Sequence, residues 1–318
     1  MILVAGSVSF DHIMDFPGKF SEHILPEKIH LINLSFEVDT LKKERGGTGA
    51  NICYSLALFG EKPKLLATVG EDFAKYRYHL EKYGVDTSLT KAVPYEFTSS
   101  FYVITDKDDN QIGGFYQGAM KHAAELSVKE AKPNKNDYVV IAPTEVTAMV
   151  KYAKECNEVG VKYMFDPGMQ LPRFTDKELW EGVKGADILI GNDYEISVIR
   201  KRLSKENGDL LRDVGILITT MGGKGSVIER HVDSEKHEFL EIPSAKEKEI
   251  IDPTGAGDAF RAGFLVGYLN KKDLVTSGKM GNLCATYCIE KYGTTNHEFT
   301  RAEFKKRYKE NFVEELAI

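Results

Sequence analysis

The sequence predicts an α/β fold with a mostly parallel central sheet, helices on both of its faces, and a second, small sheet. Short β-rich runs alternate with helical stretches across most of the 318 residues, a pattern typical of parallel sheets covered by helices. The run at residues 138–142 is apolar throughout, as expected for a buried strand. Residues 16–40 and 101–116 interrupt the alternation, and they predict the small sheet.

The predicted elements follow one another at short intervals. The predicted strands are Ile2–Ala5, 101–105, 138–142, 163–165, 187–190, 215–219 and 226–229, together with Lys64–Val69 and Gln111–Tyr116. The predicted helices are 51–59, 73–83, Val146–Val159, 194–203 and one that begins near Asp258. Gly60 and Gly84 end the first two helices. We expect a single domain over residues 1–318, without linkers or repeats.

The two interruptions predict β segments at about residues 13–40 and 95–118. Residues 31–38 have a partly alternating pattern, and a polar turn at 106–110 separates two short β runs. A small sheet inserted into an α/β domain commonly serves as a lid over a site. We therefore expect these two segments to form a β-sheet lid.

Composition excludes several classes of protein. The net charge of −6 argues against nucleic-acid binding, and no apolar run approaches the roughly 18 residues of a membrane helix. The start of the chain predicts a strand and not a signal peptide. The four cysteines form no C-x-x-C pair. We expect a cytoplasmic protein without disulfides, membrane segments or nucleic-acid partners.

Residues 251–260, IDPTGAGDAF, carry the strongest chemical signal. Pro253 favours a turn, so Gly255, Ala256 and Gly257 lie at the N-terminus of the helix that follows. Backbone N–H groups and the helix dipole favour an anion there, and small side chains let it approach. Asp258 places a carboxylate beside that site, which indicates phosphoryl transfer with Asp258 as the general base. The alternative is a glycine-rich loop that only caps a core helix.

Two polar residues of the N-terminal half are candidates for binding a sugar diol. Asn51 follows a glycine-rich segment at a helix start, and its amide both donates and accepts hydrogen bonds. The alternative for Asn51 is helix capping. Asp11 follows the first strand, where open α/β sheets bind ligands. The alternative for Asp11 is a residue of a surface turn.

Two further loops follow predicted strands. Asn192 and Glu195 offer oxygen ligands that suit Mg²⁺, although the same spacing forms a capping box and both roles are compatible. Residues 219–225, TTMGGKG, form a tight loop that could lie along a nucleotide. They lack the Walker pattern, and a plain glycine-rich hairpin is the alternative.

Together these motifs resemble the ribokinase (PfkB-type) family of carbohydrate and nucleoside kinases. The resemblance spans the chain: Gly47 with Asn51, then Asn192 and Glu195, then a loop of Thr220, Gly222, Gly223 and Gly225, and last the highly specific segment 252–258. It implies a ribokinase-like fold with a β lid. It also implies ATP and Mg²⁺ as cofactors, with Glu195 and Asn192 holding the metal through water, and phosphorylation of a primary hydroxyl.

Within this family the chain resembles the bacterial adenosine kinases, through segments near residues 16–22, 34–39, 115–120 and 166–170. The resemblance implies that the nucleoside is bound by Ser7, Asp11, Ser35, Gly47, Asn51, Phe101, Phe115, Gln170 and Arg173, with the two phenylalanines on either side of the base. It places Asn282 near the adenine of ATP, where an ordinary polar position is the alternative. Met169 stands where close relatives carry a second Gln, which could loosen base selectivity.

The expected activity is the ATP-dependent conversion of adenosine to AMP in purine salvage. The alternatives are a sugar kinase for ribose or fructose, a nucleoside kinase of broader specificity, and a non-catalytic nucleotide-binding protein. The resemblance also makes a homodimer through the lid plausible. A K⁺ site could form near Asp252 and residues 292–294, and Asp252 is expected to shape its loop or that site.

Overall fold

The described part of the chain, residues 1–31, 33–233 and 236–318 of a computed structural model, contains two sheets. Its strands are β1 (Ile2–Ala5), β2 (Ser9–Asp15), β3 (Thr40–Gly46), β4 (Lys64–Val69), β5 (Thr90–Ala92), β6 (Ser99–Thr105), β7 (Gln111–Tyr116), β8 (Tyr138–Ile141), β9 (Lys162–Phe165), β10 (Ile188–Asn192), β11 (Ile216–Thr220), β12 (Ser226–His231) and β13 (His237–Ile242). Its helices are α1 (Thr48–Leu58), α2 (Ala74–Lys82), α3 (Val146–Val159), α4 (Asp176–Val183), α5 (Asp193–Leu203), α6 (Asn207–Leu210), α7 (Ala256–Leu269), α8 (Leu274–Ile289) and α9 (Arg301–Phe312).

The large sheet has nine strands in the order β13-β12-β11-β10-β9-β8-β1-β4-β5. Every neighbouring pair from β11 to β5 is parallel, and β12 and β13 extend the sheet as antiparallel strands at one edge. The predicted parallel α/β fold is confirmed. In such a sheet the carboxyl ends of the parallel strands share one edge, where ligands commonly bind.

Helices cover both faces of the large sheet. Along β1, Val4 belongs to a core cluster with residues of α1, α7 and α8, whereas Leu3 belongs to a second cluster with residues of α3 and α4. Both side chains are fully buried. Alternate residues of one strand thus face two cores, which explains why the strand is apolar without interruption.

The small sheet has the order β3-β2-β6-β7. β2 pairs antiparallel with β3 and parallel with β6, and β6 and β7 form a hairpin. The hairpin turn uses Asp106, whose carboxylate accepts hydrogen bonds from the backbone N–H groups of Asp108 and Asn110. The predicted pair of β runs at 101–116 is therefore confirmed.

The β structure expected within residues 16–40 is wrong for the described residues of that segment. Residues 20–22 and 26–31 form 3-10 turns, and residues 33–38 belong to no strand. Of the apolar residues in the alternating pattern, Phe36 packs in a small cluster with its ring 4.8 Å from that of Phe16 and 5.0 Å from that of Phe20, whereas Leu31 and Leu34 are exposed. The strands of the small sheet, β2 and β3, lie on either side of this segment.

None of the helices in the described residues is long and apolar enough to cross a membrane. The cysteines Cys53, Cys156, Cys284 and Cys288 are buried and form no disulfide.

Candidate active site

A cavity of about 680 Å³ lies between the carboxyl edge of the large sheet and the inner face of the small sheet. It brings together segments that are far apart in the sequence: the start of α1, strands β2, β6 and β7, the loop at 166–173, and the start of α7. The residues predicted to bind the nucleoside that line this cavity are Ser7, Asp11, Gly47, Asn51, Phe101, Phe115, Gln170 and Arg173. Gly255 and Asp258 line it as well.

Ser35 is the one residue predicted to bind the nucleoside that does not line this cavity. It lies in the exposed segment between the 3-10 turns and β3. Because residues 33–38 belong to no strand of the small sheet, their side chains are not aligned with the strands that face the cavity. The structure thus does not bring Ser35 to the site.

Asp258 lies in the first turn of α7, and its carboxylate is in a buried environment that raises its pKa to about 7. Burial is the main cause, because it disfavours the charged form. The guanidinium of Arg261 and a hydrogen bond from Asn51 act in the opposite direction, and the carboxylates of Asp166 and Glu195 add to the rise. A carboxyl group with a pKa near 7 suits a general base at neutral pH.

Asn51 holds the Asp258 carboxylate in place. Its Nδ2 donates to the Oδ2 of Asp258 at 2.8 Å, and the hydroxyl of Thr294 lies 2.8 Å from its amide oxygen. The helix-capping alternative is wrong, since α1 begins at Thr48 with Gly47 as its N-cap. Asn51 is 4% exposed inside α1, so its amide orients the candidate base from the cavity wall.

Gly47 allows α1 to begin in direct contact with the end of β1. Its φ is +96°, and a Cβ there would lie 2.5 Å from the Cα of Val8. Only glycine fits such a position without displacing the backbone. The Ser7 hydroxyl accepts a hydrogen bond from the Thr48 N–H at 3.1 Å, so this part of the cavity wall is built mainly from backbone.

Asp11 lies within β2 of the small sheet, so the surface-turn alternative is wrong. Burial raises the pKa of its carboxyl to about 6, and the carboxylates of Asp252 and Glu44 add to this rise. Such a carboxylate gains from hydrogen-bond donors that enter the cavity. A pair of hydroxyl groups is a donor set that it would accept.

The turn at residues 252–257 is organised by Asp252, as expected. Its carboxylate accepts hydrogen bonds from the backbone N–H of Thr254 at 2.9 Å and of Gly293 at 3.0 Å. Gly255 has a φ of +81° and is the N-cap of α7, and a Cβ there would lie 2.9 Å from Thr294. The N–H of Ala256 makes a 3.3 Å hydrogen bond to the carbonyl of Pro253.

Asn192 and Glu195 form the capping box that the sequence predicts. The Glu195 N–H donates to the Asn192 side chain, and the Asn192 N–H donates to the Oε2 of Glu195, both at 2.8 Å. No group of three or more His, Cys, Asp or Glu side chains suited to a metal occurs in the described ranges. The second carboxylate oxygen of Glu195 fits a Mg²⁺ ion that keeps most of its waters.

The glycine-rich loop at 220–225 forms a hairpin between β11 and β12, as the structural alternative predicts. Gly225 has a φ of +90°, and a Cβ there would lie 2.1 Å from the carbonyl oxygen of Ile242. Gly223 differs, because its φ is not positive and a Cβ would meet nothing within 4 Å. Protein packing therefore explains the glycine at 225 but not the one at 223, where an approaching ligand would explain it.

Asn282 is buried on α8, and its side-chain amide contacts the loop after β13. Its Nδ2 lies 2.9 Å from the carbonyl oxygen of Pro243 and 3.3 Å from that of Ile242. These contacts favour the ordinary polar role over direct binding of an adenine through this donor.

Phe101 and Phe115 are directly opposite each other on β6 and β7. Both rings face the cavity and are about two-fifths exposed. A Cβ at Gly113 would lie 3.0 Å from the Phe101 ring, so this ring leans over the glycine. Two partly exposed aromatic rings on the small sheet form a suitable surface for a flat ring.

Sequence reasoning missed the contacts of Arg261, Asp166 and Thr294. Arg261 is a charged residue inside an apolar helix, three positions after Asp258, and that position was a usable signal. The contacts of Thr294 with α1 depend on the folding of residues 290–297 back onto the site, and nothing local in the sequence indicates them.

The arrangement combines a partly buried carboxyl group with a raised pKa, a helix N-terminus suited to an anion, and a cavity with polar and aromatic walls. A hydroxyl group that enters next to Asp258 could lose its proton to the carboxylate. The hydroxyl oxygen could then attack the phosphorus of a phosphoryl group bound at the N-terminus of α7, and the bond between that phosphorus and its original oxygen would break.

Comparison with known proteins shows the family of the chain. Residues 6–301 match the model of the pfkB family of carbohydrate kinases. The nucleoside kinase of Methanocaldococcus jannaschii is 35% identical over 270 residues, which are 84% of this chain and 86% of that protein.

Solved structures agree in fold over nearly the whole chain. A nucleoside kinase from Burkholderia thailandensis in complex with inosine superposes with a TM-score of 0.86 at 33% identity, covering 99% of both chains. The same enzyme described with ADP-inosine has a TM-score of 0.84 at 33% identity, covering 99% of this chain and 97% of that one.

Proposed function

The chain belongs to the pfkB family of carbohydrate kinases, and from this premise we propose that it transfers a phosphoryl group from ATP to the 5′-hydroxyl of a nucleoside. The observation that carries the proposal is the partly buried Asp258 carboxylate at the N-terminus of α7, which lines a cavity with aromatic and polar walls. Adenosine is the proposed acceptor and AMP the product, which is a step of purine salvage.

Asp258 takes the proton of the 5′-hydroxyl in this mechanism. Burial raises its pKa to about 7, so the carboxylate has enough basicity to assist the attack near neutral pH. Asn51 orients the carboxylate through its 2.8 Å hydrogen bond. Asp11, on the inner face of the small sheet, accepts hydrogen bonds from the ribose diol.

The transferred phosphoryl group is stabilised by the N-terminus of α7. The backbone amides of Gly255 and Gly257 would face the developing negative charge, and the helix dipole adds to this effect. The amide of Ala256 would join them by exchanging its 3.3 Å hydrogen bond to the Pro253 carbonyl for one to the phosphoryl group. A bound Mg²⁺ neutralises phosphate charge in such reactions, and Glu195 with Asn192 would hold it through water. The loop at 220–225 borders the nucleotide, and the unexplained Gly223 supports that placement.

The small sheet acts as a lid over the nucleoside. Phe101 and Phe115 present their rings to the base, while closure excludes water that would otherwise accept the phosphoryl group. A flat aromatic surface favours a nucleoside over ribose or fructose, whose sugar rings are neither flat nor aromatic. This comparison favours the nucleoside kinase over the sugar kinase.

The structure also motivates a broader range of bases. Met169 lies at the cavity and its residue is 70% exposed, so it offers no directed hydrogen bond for a particular base edge. The relative from B. thailandensis has been described with inosine. We therefore include inosine among the proposed acceptors, beside adenosine.

Three features of the family complete the proposal. A homodimer would form through the lid, whose outer face exposes Leu41, Tyr102 and Ile112. A K⁺ ion would bind near Asp252. A cytoplasmic location fits the composition.

An ADP-release assay tests the proposed function. Purified protein with ATP and Mg²⁺ is incubated with adenosine, inosine, guanosine, cytidine, ribose or fructose, and ADP is measured against an acceptor-free control. The proposal predicts ADP release with purine nucleosides and a nucleoside 5′-phosphate as product. ADP release with ribose or fructose alone would assign the protein to the sugar kinases.

A further inference from the structure

Arg261 makes three contacts that the proposed mechanism has not used. Its Nη2 donates to the Oδ1 of Asp166 at 2.8 Å, and its Nε lies 2.5 Å from the Oδ2 of the same carboxylate. Its Nη1 donates to the carbonyl oxygen of Gly257 at 2.8 Å. The side chains of Arg261 and Asp166 are 8% and 1% exposed. One guanidinium therefore forms an ion pair with the Asp166 carboxylate, with a hydrogen bond from Nη2, and donates a second hydrogen bond to the backbone of the 252–257 turn.

Asp166 connects this contact to the part of the cavity that receives the acceptor. It follows β9 directly, and its N–H donates to the carbonyl of Ile141 at 3.0 Å, which continues the sheet. The 166–173 loop begins here, and its residues Gln170 and Arg173 line the cavity. A shift of Asp166 would therefore move the residues proposed to contact the nucleoside.

Stability alone does not explain a charged pair in this place. Removing two charges from water costs about as much as their attraction returns, and apolar residues of similar volume often serve equally well. The planar guanidinium, however, fixes both the distance and the orientation of its partners. Gly257 leaves room for it, since a Cβ there would lie 2.8 Å from the Arg261 Nη1. Glycine at position 257 thus leaves the space that the Arg261 guanidinium occupies.

Arg261 also contributes to the charge around the base. Groups from several elements influence the pKa of the Asp258 carboxyl or have their own pKa raised by its charge. They are Arg261 on α7, Asp166 after β9, Glu195 on α5, Asn51 on α1, Cys288 on α8 and Tyr76 on α2. Arg261 is the only cation in this set. Its charge favours the deprotonated form of Asp258, whereas the charges of Asp166 and Glu195 oppose it.

Building on the proposed function, we propose that Arg261 is a positioning residue. With Asp166 it holds the 166–173 loop against the 252–257 turn, so that a nucleoside bound by the loop presents its hydroxyl to Asp258. The contact thereby couples the acceptor side of the cavity to the phosphoryl-transfer side. Arg261 itself touches neither the acceptor nor the phosphoryl group in this account.

The test uses two variants of the full chain, Arg261→Lys and Asp166→Asn, in the nucleoside-dependent ADP-release assay. Lysine keeps the charge but cannot bind Asp166 through two nitrogens and Gly257 at the same time. We expect Arg261→Lys to lower kcat/KM for the nucleoside by about 10²-fold, the usual effect of misplacing reacting groups by about 1 Å. KM for ATP should change little, and the pH dependence should stay as in the wild type.

Asp166→Asn has a different expected signature. It leaves the positive charge of Arg261 beside the base without its compensating carboxylate. The acidic limb of the kcat/KM profile should therefore move to lower pH by about one unit. A purely structural role of Asp166 would not move this limb. If Asp166→Asn fails to fold, Arg261→Lys still tests the positioning role.

Arg307→Lys is the matched control. Arg307 also binds a carboxylate, that of Glu290, through two nitrogens and contacts the carbonyl of Lys246, with a side chain that is 9% exposed. This pair lies outside the cavity. The control should lose stability to a similar extent and keep kcat/KM within about twofold.

The outcomes separate the two proposals. Wild-type protein without nucleoside-dependent ADP release would overturn the proposed function and this inference with it. Active wild-type protein together with near-normal kcat/KM in Arg261→Lys would overturn the positioning role alone. An equal loss of activity in Arg307→Lys would also overturn it, because the effect would then follow stability.

Discussion

The Nδ2 of Asn51 donates a 2.8 Å hydrogen bond to the Oδ2 of Asp258, across 207 positions of sequence. The bond joins α1, which begins after the Gly47 turn, to the first turn of α7. The two halves of the chain therefore meet at one carboxylate. Because this carboxylate is the proposed base, its orientation depends on an amide that belongs to the nucleoside side of the cavity.

Replacing Asn51 by Leu should move the acidic limb of kcat/KM to higher pH. The hydrogen bond from Asn51 holds the pKa of Asp258 below the value that burial alone would produce, so its loss favours the protonated carboxyl. Hydrogen bonds to charged groups are worth about 1.5–3 kcal/mol, which corresponds to one to two pH units. The measurement is kcat/KM for the nucleoside between pH 5.5 and 9.

Ser55→Ala is the control for Asn51→Leu, since Ser55 lies on the same helix and its hydroxyl faces His297 instead of the cavity. This variant should keep the wild-type profile. An unchanged profile in Asn51→Leu itself would show that Asn51 does not tune the base.

Replacing Phe101 by Ala should weaken nucleoside binding and leave ATP binding nearly unchanged. Stacking of a base on an aromatic ring contributes about 1–3 kcal/mol, so KM for adenosine should rise about 5- to 100-fold. Initial rates at varied adenosine and at varied ATP give the two KM values. Tyr102→Ala is the matched control. Tyr102 follows Phe101 on β6, but its ring stacks on that of His12 on β2, with the ring centroids 4.4 Å apart. A nucleoside KM that does not change in Phe101→Ala would contradict the lid assignment.

Replacing Gly223 by Ala should raise KM for ATP without affecting folding. The new methyl group would meet nothing within 4 Å of protein, so only a ligand along the 220–225 loop would contact it. Gly208→Ala is the control, since a Cβ there also meets nothing within 4 Å. If Gly223→Ala has the melting temperature of the wild type and an unchanged KM for ATP, the proposal that the nucleotide lies along this loop is contradicted.

Replacing Asp258 by Asn should stabilise the protein at neutral and alkaline pH. The folded-state pKa of Asp258 is raised from 3.8 to about 7, so its contribution to stability is fully present below pH 3.8 and is lost as pH rises to about 7. Each tenfold change in the protonation equilibrium is worth about 1.4 kcal/mol. The variant should therefore be more stable by a few kcal/mol above pH 7 and equal to the wild type near pH 3.8.

Thermal unfolding between pH 4 and 8.5 measures this difference. A melting temperature that rises in Asp258→Asn only toward high pH would support a buried carboxylate that is retained for chemistry. A variant that is less stable at every pH would contradict the raised pKa.

Sequence patterns were sufficient for the central parallel strands of the large sheet, because these strands are buried on both faces. They missed β5 and β13 at its two edges, which are more exposed. Strands such as β8 are apolar at every position, and their helices carry one apolar face, so each element is visible locally. The segment at 31–38 misled the same reasoning. Within it Phe36 packs inward while Leu34 is exposed, and a period of two does not distinguish a strand from a loop that packs one side chain inward.

The site was predictable where chemistry is concentrated in a short segment. Asp258 and the glycines before it lie within one turn of the chain, and their residue types limit the possible chemistry. Thr294 and Asp166 reach the site only through tertiary folding, so no local spacing indicates them, whereas the position of Arg261 three residues after Asp258 was a usable signal. Ser35 shows the converse, since a segment can match a family pattern and still lie outside the cavity in this structure.

The central claim is that the Asp258 carboxylate takes the proton of the nucleoside hydroxyl. The most direct test is kcat of Asp258→Asn for adenosine-dependent ADP release at pH 7.5, with a matched melting curve to establish folding. The account predicts a fall of about 10²–10⁴-fold in a protein at least as stable as the wild type. A folded Asp258→Asn variant with near-normal kcat would contradict it.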